Sequence, residues 1–215
     1  MKTVAFVPIK MNSQRVPHKN ILPIGKHSLA WYIFDSLLGV NGIDEIYVYC
    51  SDEEIKKYIP ENISFLKRDS YLDGNFVKGF EIYERFICDV DADVYVLSHA
   101  TSPFVKTESI QEALDSVLLG ECDSAFSAKK IQTFLWNKEG PLNYDPNDVP
   151  RTQDLNPIYA EVGAFYIFKK EVFTKHRRRI GFAPHIQVLD DVEGVDIDEP
   201  DEFEFAKMIA KAKNI

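Results

Sequence analysis

Apolar positions along this chain fall into two alternating patterns. Short continuous runs occupy residues 4–9, 46–50, 63–66, 94–97, 124–127 and 164–168. The first, rich in Val and Phe, predicts a strand buried on both faces, and the others predict strands like it. Between most of them the spacing becomes helical, over 28–38, 53–58, 76–88 and 109–119. Within 76–88, Phe76, Phe80, Tyr83 and Ile87 recur at steps of four, three and four, which predicts a core-facing stripe. A last helix opens after Asp198-Glu199-Pro200, carries Phe203, Phe205, Ala206 and Ile209, and has Lys207, Lys211 and Lys213 toward its end. Acid first and base last match the helix dipole. Strands alternating with helices predict an α/β domain. The stretch 136–157 fits neither period, holding four prolines with several Asn and Asp. It predicts a long loop or small subdomain that covers a site or meets another subunit.

Composition narrows the function classes. A chain of 215 residues, 45% hydrophobic and without an apolar run near twenty residues, predicts one soluble domain over 1–215, neither disordered nor membrane-spanning. The formal charge of -9 repels a phosphate polymer, so no nucleic-acid partner is expected. Cys50, Cys88 and Cys122 follow no disulfide or zinc spacing, and two of the three lie in apolar stretches that read as core. Met1-Lys2-Thr3 leads straight into the first apolar run without an export signal, and a reducing cytoplasm is the expected location.

In an open α/β sheet the ligand crevice lies beyond the carboxyl ends of the strands, so the loops after the strands come first. The loop 8–20 gathers Lys10, Arg15 and Lys19 among Ser13, Gln14 and Asn20, an exception in an acidic chain. These cations can neutralise a triphosphate, or they can simply decorate a solvated loop. Neither a Walker loop nor a glycine-rich dinucleotide fingerprint is present. After the fourth run, Ser98, His99, Thr101 and Ser102 can line a pocket, but no nucleophile-elbow glycines surround the serines. At 195–198, strand alternation puts Asp196 and Asp198 on one face. Paired carboxylates suit a hard divalent metal such as magnesium, whereas Asp198 alone suits the N-cap of the last helix. Polar residues at 150–164, including Gln153, Tyr159 and Glu161, lead into a strand. Asp52-Glu53-Glu54 is most simply a helix start, Asp190-Asp191 a solvated turn, and the run 175–179 a basic surface patch.

Taken in order, these motifs resemble the acylneuraminate cytidylyltransferase family, the CMP-sialic acid synthetases and their relatives, over nearly the whole chain. The family's Pro-Ala-Arg, Gly-Gly-Ser-Lys and Lys-Asn signature has its slots at Pro8-Ile9-Lys10, Ser13, and Pro17 with Lys19-Asn20. Its Gln-Pro-Thr-Ser-Pro segment is matched at 99–103, its Asn-Gly-Ala at Val162-Gly163-Ala164, and its Ile-Asp-Ile-Asp at 195–198. The resemblance implies a three-layer α/β/α, Rossmann-like fold with a mainly parallel sheet of the nucleotide-diphospho-sugar transferase type. It also implies a homodimer, with a lid or dimerisation insertion at about 132–160, and transfer of CMP from CTP to the anomeric hydroxyl of a sugar acid with magnesium. Lys19, Lys10 and Asp198 would then be catalytic, and Lys10, Ser13, Arg15, Lys19, Asn20 and Arg68 would bind nucleotide. His99, Thr101, Gln153, Tyr159 and Glu161 would bind the acceptor, and Asp196 with Asp198 would bind magnesium. On the phosphate side Lys10 replaces the family's Arg and Gln14 its Lys, with a new Arg15 beside it, and the acceptor side departs further. His99 replaces Gln, Val162 replaces Asn, and Ala160 stands where an Arg often faces the sugar's carboxylate. They imply a modified or different acidic acceptor, with a non-catalytic nucleotide-binding homologue as the alternative.

Overall fold

The computed structural model describes residues 1–215. Its strands are β1 (Thr3–Pro8), β2 (Pro23–Ile24), β3 (His27–Ser28), β4 (Glu45–Cys50), β5 (Ser64–Lys67), β6 (Val94–Ser98), β7 (Ser124–Ile131), β8 (Ile158–Lys169) and β9 (Pro184–Val188). The α-helices are α1 (Leu29–Leu38), α2 (Gly79–Asp89), α3 (Thr107–Leu118), α4 (Lys170–His176) and α5 (Pro200–Lys213). Seven strands form one sheet in the order β5-β4-β1-β6-β8-β7-β9, and β2 pairs with β3. β8 runs antiparallel to both neighbours and every other pairing in the large sheet is parallel, so the expected mainly parallel α/β architecture is present.

Period-two alternation makes the three layers. On β1, Ala5 and Val7 pack on the face covered by α1 and α3, and Val4 and Phe6 on the face covered by α2 and α4. β6 divides likewise, Val94 and Val96 against Tyr95 and Leu97. Both faces are dry, which is why these strands read as continuous apolar runs. No helix is long and apolar enough to cross a membrane.

Several expectations are corrected. α2 starts at Gly79 rather than 76, because the Glu81 carboxylate accepts from the Lys78 backbone N–H at 3.0 Å and closes the helix there. Phe76 therefore lies outside the stripe and is 98% exposed, while Tyr83 and Ile87 are buried and Phe80 is half-buried. The turn Glu53–Tyr58 is a 3-10 helix. Residues 195–198 form no strand; their backbone bond to the adjacent segment runs from Ile197 N–H to the Thr101 carbonyl at 2.8 Å. Cys50 is buried, but Cys88 is exposed and Cys122 half-buried. Phe205 is 53% exposed, on the outer face of α5. β9, α4 and the β2–β3 pair were not anticipated, being short or mixed in polarity.

Beyond Ala128, β7 pairs only with the start of β8, so Lys129 to Ile131 and Ile158 to Ala160 form a two-stranded ribbon. The segment 132–157 caps this ribbon, with small bridges Trp136 to Pro141 and Asp145 to Asp148. Trp136, Leu142 and Val149 are exposed on it.

Candidate active site

The carboxyl ends of β1 and β6 border a cleft of about 390 Å³, lined by Lys10, Ser13, Arg15, Lys19, Asn20, His99 and Thr101 among others. His18, in the left-handed conformation at φ 57°, starts a 3-10 turn that folds Lys19 and Asn20 inward to 7% exposure each. The Asn20 amide donates to the Lys10 carbonyl at 3.0 Å and ties the two ends of the loop together. Lys10 has no carboxylate partner, its ammonium donating one long hydrogen bond to Asn75 Oδ1 at 3.4 Å. A larger hollow of about 570 Å³ on α3 is lined by Glu108, Glu112, Asp115 and Glu121, whose charges oppose a phosphate ligand.

At the cleft mouth the Lys19 ammonium donates to the Ile197 carbonyl at 2.5 Å and to Asp198 Oδ1 at 3.0 Å. Arg15 meets the same Oδ1 at 3.0 Å and Glu199 Oε1 at 2.8 Å. Partial burial opposes ionisation of Asp198, but Lys19 and Arg15 outweigh it and hold the carboxyl below the usual range. The helix-cap reading of Asp198 is overturned. Glu199 is the N-cap of α5, with Glu202 accepting the Asp198 and Glu199 backbone N–H at 2.6 and 2.7 Å, and the Asp198 side chain bonds the cations instead.

Asp196, exposed one turn of alternation away, makes no hydrogen bond or ion pair. No group of three or more His, Cys, Asp or Glu converges as a protein-built cage. Two hard carboxylates beside a cleft suit magnesium, which keeps waters and takes substrate oxygens for its remaining positions.

His99 stands between β6 and β8. Its Nδ1–H donates to the Gly163 carbonyl, so Nε2 is the acceptor and receives the Tyr83 hydroxyl at 3.3 Å. Burial of the ring pushes its pKa below 6.5, the Gly163 bond opposes this, and the charges of Arg179, Asp196 and Asp198 all reach it. Thr101 lines the cleft and its carbonyl holds Ile197.

The other expected site residues are distributed differently. Arg68 is outside the cleft lining, its side chain 1% exposed. Its guanidinium donates to the Ile9 carbonyl at 3.0 Å, the Tyr49 carbonyl at 3.3 Å and the Asp73 carboxylate, clamping the ends of β1 and β4 from beneath. Gln153 and Tyr159 are exposed on the ribbon and its cap, apart from the cleft. Glu161 turns toward the β8 surface, accepting from Tyr166 at 2.5 Å and Arg179 at 2.6 Å. Asp190 is not merely a solvated turn: it ion-pairs with Lys106 at 2.6 Å, which with two backbone N–H groups lowers its pKa to about 2.

Sequence reasoning missed Arg179. The run 175–179 is a surface patch only in part, because Arg177 takes the left-handed conformation at φ 54° and ends α4. The chain then reverses and carries Arg179 over the Tyr166 ring at 3.8 Å. Nothing in three consecutive arginines distinguishes the last.

The profile of a family described as cytidylyltransferase matches residues 4–214. An N-acylneuraminate cytidylyltransferase of Streptococcus agalactiae serotype III is 24% identical, over 94% of this chain and 52% of its own length. A pseudaminic acid cytidylyltransferase of Campylobacter jejuni is 24% identical over 100% of this chain and 98% of its own. The chain thus spans about half the length of the first of these relatives and nearly all of the second. Among solved structures, a CMP:2-keto-3-deoxy-manno-octonic acid synthetase complexed with CTP superposes with a TM-score of 0.75 at 16% identity, covering 99% of this chain and 100% of its own.

Proposed function

This chain belongs to the cytidylyltransferase family, and we propose that it is an enzyme transferring CMP from CTP to the anomeric hydroxyl of a sialic-acid-like sugar acid, with release of pyrophosphate. The observation that carries this reading is Lys19. A side chain with three N–H donors is nearly buried at the cleft, spends two of them on Ile197 and Asp198, and keeps one for an anion.

The chemistry is an in-line displacement at the α-phosphate. The acceptor oxygen forms the new bond to phosphorus as the bond to the pyrophosphate oxygen breaks. Positioning and charge neutralisation carry such a reaction, with no covalent intermediate needed. Lys10, Arg15 and Lys19 neutralise the triphosphate, while Ser13 and Asn20 complete the nucleotide side. Asp196 and Asp198 would hold magnesium, which when bound supplies charge neutralisation on the phosphoryl oxygens and acidity to the attacking hydroxyl. Arg68 serves the nucleotide from beneath, by fixing the β1 and β4 ends.

On the acceptor side, His99 and Thr101 face the sugar, and His99, its two ring nitrogens held by Gly163 and Tyr83, presents a neutral ring rather than a charge. Gln153 and Tyr159 can reach an acceptor only if the ribbon folds over the cleft or enters the cleft of a second copy. The exposed Trp136, Leu142 and Val149 support a dimerising or lid role for 132–160 within a single 1–215 domain. A homodimer in the cytoplasm fits this reading. The departures at His99, Ala160 and Val162 favour a modified acid over N-acetylneuraminate itself. Calorimetric titration of CTP in the presence of magnesium tests the nucleotide half: binding that Lys19→Met removes supports it, and no binding by the wild type overturns it.

A further inference from the structure

Arg179 is the one residue of its basic run that turns inward. Arg177 pairs outward with Glu84 at 2.9 Å, and Arg178 covers the Phe182 ring at 4.7 Å. Arg179 lays its guanidinium carbon 3.8 Å over Tyr166 with only 27% of its side chain exposed. One Nη2–H donates to Glu161 Oε1 at 2.6 Å, and the Tyr166 hydroxyl donates to the same oxygen at 2.5 Å. Glu161 therefore fixes the guanidinium and the ring beneath it together.

This cluster adjoins the cleft through His99. The His99 ring is 6.2 Å from Tyr166, and its Nε2 accepts from Tyr83. The positive charge of Arg179 is felt at both His99 and Tyr83. A guanidinium has five N–H donors; Glu161 takes one, the Tyr83 hydroxyl lies close enough to take another, and the rest are unspent. One face of its plane is covered by Tyr166, so the unspent donors point along the edges. In-plane edges of this kind take a planar carboxylate through two parallel hydrogen bonds. Glu161 balances the charge of Arg179, so the cluster holds an anion through directed N–H donors rather than through net charge.

We propose that Arg179 is a specificity-determining residue that receives the acceptor's carboxylate, with Glu161 and Tyr166 as positioning residues. The assignment rests on the sugar-acid reading above and supplies the acceptor-side cation that Ala160 cannot.

The test is steady-state pyrophosphate release with N-acetylneuraminate or pseudaminic acid, compared with the same sugar as its C1 carboxamide. The wild type prefers acid over amide by about ten- to hundred-fold, the range of a charge-assisted hydrogen bond. Arg179→Gln raises the acid KM by a similar factor and brings the acid-to-amide preference near unity, with the CTP KM within about two-fold of wild type. Arg179→Lys keeps the charge but not the fork and falls between the two, which preserves the test if the Gln variant folds poorly. Retention of the acid preference in both variants overturns the assignment, as does an equal fall for acid and amide, the result of a purely structural ion pair. Wild-type protein that releases pyrophosphate with neither acid overturns the sugar-acid reading itself, and Arg179 with it.

Discussion

Lys19 and Asp198 lie 179 residues apart in sequence and meet at 3.0 Å, joining the loop after the first strand to the segment before the last helix. The contact closes the cleft mouth and binds the candidate phosphate and metal halves of the site into one unit. Residues that act as a unit give non-additive losses. Lys19→Met and Asp198→Asn should each lower kcat/KM by about a hundredfold or more. The double variant should fall little below the worse single one, as a double-mutant cycle on pyrophosphate release will show.

Asp196 and Asp198 differ in what else they support. Asp196 is exposed and unpaired, so Asp196→Asn should raise the magnesium concentration needed for half-maximal rate and leave the melting temperature unchanged. Asp198→Asn should do the first and also lower the melting temperature, since Lys19 loses its carboxylate partner. Chelation with EDTA should abolish turnover while thermal unfolding stays in place, because no protein-built metal cage holds the fold.

His99 gives the chain a pH dependence of stability. Its folded pKa lies below the ordinary 6.5 because burial disfavours the imidazolium. Below that value the unfolded chain binds a proton that the native site resists, so stability is full above about pH 6.5 and falls as pH drops toward the folded pKa. His99→Gln removes the titrating group and should flatten the decline that sets in below about pH 6.5 in urea unfolding followed over pH. Asp198, lowered from its ordinary 3.8, adds a separate loss only at more acidic pH.

Arg68 is buried with an ion pair to Asp73 and two backbone carbonyls. Arg68→Met leaves these acceptors stranded and should cost about 3–5 kcal/mol in chemical denaturation. A direct cytidine contact would weaken CTP binding in protein that remains folded. The clamp described here predicts that the stability loss dominates.

The fold was legible where burial is two-sided. Residues 4–9 and 94–97 are apolar throughout because helices cover both faces of β1 and β6, and hydrophobic runs record that directly. At Phe76 the periodicity misled, since a side-chain bond from Glu81 decides where α2 starts. In the candidate site, Lys10, Arg15 and Lys19 were legible as a local excess of cations in an acidic chain. The choice between capping and ion pairing at Asp198 was not, because it depends on α5 starting one residue later, with Glu199 as its N-cap, and on Lys19 arriving from 179 residues away. Arg179 was hidden for a different reason: its direction is set by the left-handed turn at Arg177, and identical neighbours carry no signal of it.

The most direct measurement is pyrophosphate release on mixing the protein with CTP, magnesium and either N-acetylneuraminate or pseudaminic acid, with the sugar product identified by mass. The account predicts one CMP-sugar formed per pyrophosphate released, with no release when the acid or magnesium is omitted. Failure to form a CMP-sugar with either acid, in protein shown to bind CTP, would contradict it.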